Sequence, residues 1–290
     1  MRLSKYFIYA TVGLCVACGT ANDKAGGKPL LMVSIEPQRA ILEKIAGEGF
    51  EVVSLMPAGA NPETFEPSMS GRAALARAEV FFTTGVLPFE QTVVRAGVAG
   101  EVIDTSCGIE PVYGTHDHHG HEGECGTDGH GAADPHVWSS VRNLDSIAAS
   151  MTVALCRLRP DSAAVYASRY AELHCTLDSI DRAYARRLAE APGRTFAVWH
   201  PSLSYFARDY GLEQLSVGYE SKEVSAQRLR EAVDNARAKG VRVLFFQKEF
   251  DSRQAETLNE LIGSRLVTVN PGSYDWKKEF DTVVDEICRE

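Results

Sequence analysis

Residues 116–138, "HDHHGHEGECGTDGHGAADPHVW", carry six of the chain's eight histidines. Five of them, His116, His118, His119, His121 and His130, lie among Gly, Asp and Glu, whereas His136 stands apart in Asp134-Pro135-His136-Val137-Trp138. Neutral imidazole suits Zn, Cu and Ni, and a short His-rich tract is compositionally a metal-binding segment. Its glycines cannot hold a rigid tetrahedron. The tract therefore reads as a mobile, lower-affinity collector, with Glu122, Glu124, Asp128 and Cys125 as further donors, or else as a solvated insertion. Elsewhere "TFAVWHP" carries His200, "MPAGANPETFEPS" carries Glu63 and Glu66, and "RLVTVNPGSYDW" carries Asn270 and Asp275. Two imidazoles and a carboxylate brought together would suit a four- or five-coordinate Zn site with one position open or water-filled.

Such residues need rigid elements to aim them. Short β-rich runs alternate with helical patterns, which predicts parallel α/β architecture. Strands are expected at Leu30–Ile35, Glu51–Leu55, Val80–Thr83 and Glu101–Asp104, then at Thr195–Trp199, Leu212–Val217, Val241–Phe246 and Leu266–Val269. Helices are expected near Gln38–Gly47, Ser70–Arg77 and Pro88–Ala96, then near Ser202–Tyr210, Ala226–Lys239, Arg253–Ile262 and Trp276–Cys288. Between the halves runs a glycine-free stretch with Asp161 as its N-cap and a break at Pro192-Gly193. About 30 helical residues would span about 45 Å, enough to bridge two lobes. The expected organisation is an N-terminal lobe over 28–158 with the His-rich loop at 115–133, a linking helix over 159–191 and a C-terminal lobe over 192–290. In parallel α/β folds ligands bind beyond the carboxyl ends of strands. Glu63, His136, His200 and Asn270 all fall at such ends.

A net charge of −9 argues against sequence-independent nucleic-acid binding. Arg2 and Lys5 precede the apolar run Tyr6–Ala17, which is short for a membrane span and is followed by Cys18 and a polar segment. The pattern resembles a bacterial lipoprotein signal with Cys18 as the lipidated residue, plain secretion being the alternative. It places the chain outside the cytoplasm, in the periplasm or at the cell surface. There Cys107, Cys125, Cys156, Cys175 and Cys288 would allow at most two disulfides, of unassigned pairing.

"MPAGANPETFEPSM", "DPHVWSS", "VWHPSLSYFARDYGLEQL" and "SKEVSAQRL" resemble the landmark motifs of the zinc/manganese ABC-transporter solute-binding proteins (ZnuA/TroA type, cluster A-I). The resemblance covers essentially the whole mature chain. It implies two α/β lobes bridged by a long helix, with one transition metal in the cleft. The cargo would be Zn²⁺, with Mn²⁺ as the alternative, handed by a monomer to an inner-membrane ABC permease. The chain departs from the family pattern twice: Glu63 stands where a His ligand is usual, and Asn270 where an acidic ligand is usual. The two changes compensate in charge, since one carboxylate remains. The expected ligands are thus Glu63, His136, His200 and either Asn270 or a water. Two other classes are weighed against this: a surface adhesin using the same fold, and a secreted zinc hydrolase with Glu63 or Glu66 as general base. The hydrolase lacks both an HExxH element and a GxSxG turn.

Overall fold

The computed structural model describes residues 27–113, 133–218, 226–248 and 252–290. His116, His118, His119, His121, His130, Cys18 and Cys125 lie outside the described residues. The N-terminal half runs β1 (Leu30–Val33), α1 (Glu36–Ala46), β2 (Glu51–Ser54), α2 (Met69–Leu75), β3 (Val80–Thr83), α3 (Pro88–Ala96) and β4 (Glu101–Asp104). Two helices follow, α4 (Val141–Leu158) and α5 (Ala163–Ala189). The C-terminal half runs β5 (Thr195–Val198), α6 (Ser204–Tyr210), β6 (Glu213–Ser216), α7 (Ala226–Ala238), β7 (Val243–Phe246), α8 (Ser252–Ile262), β8 (Arg265–Thr268) and α9 (Trp276–Cys288).

Each half builds a four-stranded, all-parallel sheet, ordered β2-β1-β3-β4 and β6-β5-β7-β8. The inner strands explain their own position. "LLMV", "VFFT" and "VLFF" are buried along their whole length, as strands covered by helices on both faces must be. The edge strands "EVVS" and "EVID" expose their first residue and keep polar ends. In both sheets the chain reverses direction of travel between the two inner strands, which opens a crevice at their carboxyl ends.

The linking helix α5 has 27 residues and so extends about 40 Å. Its buried side chains Tyr166, Leu173, Leu177, Tyr184 and Leu188 recur at alternating spacings of seven and four residues, one or two helical turns, and form one stripe. That stripe joins the N-terminal sheet, α4, α6 and α9 into a single apolar cluster. A second cluster fills the far face of the C-terminal sheet, with Leu244, Phe246, Leu258 and Ile262.

Several local expectations shift. Asp161 does not cap α5; it sits in a short 3₁₀ turn, Pro160–Ser162, and Ser162 occupies the cap position. Pro160 starts that tighter turn because its missing N–H is not needed there. The 18-residue α4, whose bounds the sequence pattern left open, starts where Ser140 Oγ accepts the Asn143 N–H at 3.2 Å. Cys107, Cys156, Cys175 and Cys288 are all free, so no disulfide joins any two of these four. No helix among the described residues is long and apolar enough to cross a membrane.

Candidate metal centre

Glu63, His136 and His200 meet between the two sheets. One ligand atom from each lies within 4.8 Å of the other two, the one such cluster of His, Cys, Asp and Glu among the described residues. Glu63 Oε1 is 3.4 Å from His200 Nε2, and the two imidazole centroids are 5.1 Å apart. An ion with bonds of about 2.0–2.1 Å separates neighbouring tetrahedral ligands by about 3.3 Å, so the first spacing is already that of two ligands on one zinc. Both imidazoles are buried, while the Glu63 side chain keeps 29% of its surface. His136 Nε2 is buried with no hydrogen-bond partner among the described residues. An unpaired polar atom in such a place costs free energy that a cation would remove.

Each candidate ligand is aimed by its neighbours. Asp134 Oδ1 accepts both the His136 backbone N–H and Nδ1–H, each at 2.8 Å. This fixes the tautomer and turns Nε2 toward the pocket. Burial alone would push the Asp134 carboxyl up, but the hydrogen bond and charge of His136 outweigh it and hold the group below the usual carboxylate range. The edge of Trp138 packs on the His136 ring. Asn61-Pro62-Glu63 repeats the same device: Asn61 Oδ1 accepts the Glu63 N–H at 2.9 Å. Phe65 anchors that loop edge-on against Phe89 of α3.

His200 follows β5, at the switch point of its sheet. Gln247, which follows β7, donates to Ser202 Oγ at 2.8 Å and holds the turn after His200. Behind it, Gly218 N–H bonds the Trp199 carbonyl, and a Cβ at Gly218 would lie 2.1 Å from that oxygen. Only glycine fits. Gly218→Ala is therefore expected to destabilise the fold by about 1–3 kcal/mol and to weaken metal binding by displacing His200. Urea midpoints and Zn²⁺ titrations check this, and an unshifted midpoint contradicts it.

Asn270 lines the same pocket with Met56, Asn61, Trp138 and Gln247, but its Oδ1 accepts the Gly272 N–H at 3.0 Å and shapes the loop. Glu66 and Asp275 are exposed and outside the cluster. Asn61 and Gln247 are the positioning residues that sequence reasoning missed. The Asn-Pro-Glu spelling, parallel to Asp-Pro-His, was the available signal for the first.

Two sheet-bearing lobes whose strand ends face one buried, nitrogen-rich pocket define a two-lobed metal-binding protein of the solute-binding class. The chain belongs to the family of the zinc-uptake complex component A, periplasmic (ZnuA), whose pattern it matches over residues 31–282. It is 26% identical over 282 residues to the high-affinity zinc uptake system protein ZnuA of Bacillus subtilis (strain 168), covering 93% of this chain and 88% of that one. It is 28% identical over 269 residues to the zinc-binding lipoprotein AdcA of Streptococcus pneumoniae (strain ATCC BAA-255 / R6), covering 88% of this chain but only 52% of that relative. The chain thus spans about half the AdcA length. Among solved structures it resembles a zinc-bound ZnuA with residues 138–173 deleted, at a TM-score of 0.80 and 30% identity, covering 90% of this chain and 97% of that one.

Proposed function

We propose that this protein captures Zn²⁺ outside the cytoplasm through Glu63, His136 and His200 and passes it, as a monomer, to an ABC permease. The observation that carries the reading is the convergence of those three side chains at the lobe boundary, with each ligand held by an Asx residue or a strand-end turn. A fourth position falls to Asn270 or to a water. The matched family is a zinc-uptake component, and the sequence carries neither an HExxH element nor a GxSxG turn. For this reason we read the protein as a binding component and not as a hydrolase. Cys18, after its short apolar run, is the proposed lipid attachment point. Elemental analysis after competition with equimolar Zn²⁺ and Mn²⁺ tests the cargo: about one tightly held zinc per chain is expected. Manganese in excess would reject it.

The His-rich segment is proposed as an auxiliary collector through His116, His118, His119, His121 and His130. Its two ends are closed by the structure: Tyr113 and Ala133 form an antiparallel bridge, and Asp134 N–H donates to the Val112 carbonyl at 2.8 Å. Deleting residues 115–131 is expected to remove weakly bound metal and to leave the tight equivalent in place. Loss of the tight equivalent in equilibrium dialysis would relocate the principal site.

A further inference from the structure

His136 comes from the N-terminal half and His200 from the C-terminal half, so the distance between the two imidazoles is a distance between lobes. One side chain ties the two together. Tyr205, on α6 only five residues beyond His200, is 1% exposed. Its hydroxyl donates to the Asp134 carbonyl at 2.9 Å and accepts the Val112 N–H at 3.4 Å. Asp134 is the residue whose carboxylate grips both donors of His136. A continuous path of short bonds therefore runs from the helix that follows His200 to the imidazole of His136. The ring that carries the hydroxyl is itself held. Arg208 stacks over it, its guanidinium carbon 5.0 Å from the ring centroid and so within the about 6 Å of a cation–π contact. The same guanidinium donates to the Glu110 carbonyl at 2.8 Å and to Asn143 Oδ1 at 3.2 Å, both on the opposite lobe.

We infer that Tyr205 is a positioning residue that fixes the separation of the two ligand imidazoles across the lobe boundary and thereby sets the preference for Zn²⁺ over Mn²⁺. The inference rests on the proposed ligand set. Its physical basis is a difference between the ions. Zinc draws on both imidazoles through short bonds in tetrahedral geometry. Manganese relies more on oxygen and water in a larger coordination sphere, so a loosened His136–His200 spacing penalises it less. Rigid support from outside the coordination sphere is what keeps such a spacing fixed.

The test compares Zn²⁺ and Mn²⁺ dissociation constants, by competition with a chromophoric chelator and by manganese electron paramagnetic resonance, for the parent, Tyr205→Phe, Arg208→Ala and His136→Ala. Tyr205→Phe keeps the packed ring and loses the hydroxyl. It is expected to weaken Zn²⁺ about five- to tenfold, the effect of one buried hydrogen bond, and Mn²⁺ less than about twofold. The Zn/Mn ratio then narrows. An unchanged ratio overturns the inference, including the case where both affinities or the melting temperature fall together, because that is what a merely structural tyrosine would do. Arg208→Ala frees the ring and is expected to narrow the ratio by a smaller factor. It keeps the inference testable if Tyr205→Phe does not fold, and an unchanged ratio there would then overturn it. His136→Ala separates the two levels. If it binds Zn²⁺ as tightly as the parent, the ligand set is wrong; if it loses Zn²⁺ while Tyr205→Phe keeps the ratio, only the role of Tyr205 fails.

Discussion

Glu63→Gln is expected to bind Zn²⁺ more than about a hundredfold more weakly than the parent, beyond the 10- to 100-fold that outer-sphere changes produce. Glutamine keeps the shape and the Asn61 anchor but removes the negative charge beside His200, from which Glu63 stands 3.4 Å away. With two neutral imidazoles as the other ligands, no charge would be left to offset the dication. The complementary experiment rebuilds the usual family arrangement. Glu63→His alone leaves the ion without a carboxylate. Asn270→Asp alone retains an acceptor for the Gly272 N–H, but it places a new carboxylate beside Glu279, which already accepts the Asn270 N–H at 2.9 Å. The pair together restores one carboxylate among imidazoles and should bind better than either single change. The expected signature is non-additivity between residues that share one ion. Calorimetric titrations of the four-member cycle would show it. Additive effects, or a Glu63→Gln variant as tight as the parent, would leave Glu63 a loop residue of no consequence to the metal.

The second large effect is on stability. A ligand bound by the native state alone adds RT ln(1 + [L]/Kd), about 4 kcal/mol at a thousandfold excess over Kd. Zinc should therefore raise the melting temperature strongly in the parent and hardly at all in His200→Ala. The sign with pH follows from the ligands. Imidazole must be neutral and the carboxylate ionised to bind metal, so protons compete and the zinc increment is full near neutrality and lost as pH falls. The Asp134 carboxyl, hydrogen-bonded to His136, adds a second pH dependence in the metal-free protein. Its folded value lies below its unfolded one, so its contribution is present above the unfolded value and is lost only as pH falls through the folded one. Paired melts with and without Zn²⁺ down the acid range should show the increment vanish while the metal-free protein still unfolds cooperatively. An increment that persists in acid would contradict imidazole ligation. The α5 stripe and the α6 contacts also predict little change in overall shape. A large rise in the radius of gyration on metal removal, measured by solution scattering, would contradict that.

What was legible in the sequence was local. "TFAVWHP" states a buried strand, a ligand and a helix-opening proline in seven residues, and "DPHVW" states a turn with its own carboxylate. Both histidines could be placed at strand ends for that reason, and all eight strands fall where alternation and turn residues put them, to within two residues at either end. The start of α5 was misjudged because Asp161 and Ser162 are both good caps, and the choice was made by the proline two residues before Ser162. What was not legible was anything whose partners lie far apart. The Tyr205 hydroxyl reaches a carbonyl 71 residues away, and a backbone carbonyl leaves no mark in composition. Gly218 is likewise unremarked in sequence; its necessity comes from Trp199, which follows the neighbouring strand β5. Asn61 is the instructive case, since its role is written two residues before Glu63 but can be read only after Asp134 and His136 have been seen to do the same thing.

The pocket that His136 and His200 line encloses about 20 Å³, between Met56, Gly59, Pro62, Trp138 and Pro271 among others. A single water needs about 10–15 Å³ measured in that way. That volume leaves no room for an ion in its full hydration shell, so an ion bound by the proposed ligands would exchange most of its waters for two nitrogens and a carboxylate. Magnesium surrenders its waters reluctantly and prefers oxygen, so this exchange is less favourable for it than for zinc. In so small a space the cost of removing water becomes part of the affinity for every ion, and it falls hardest on magnesium.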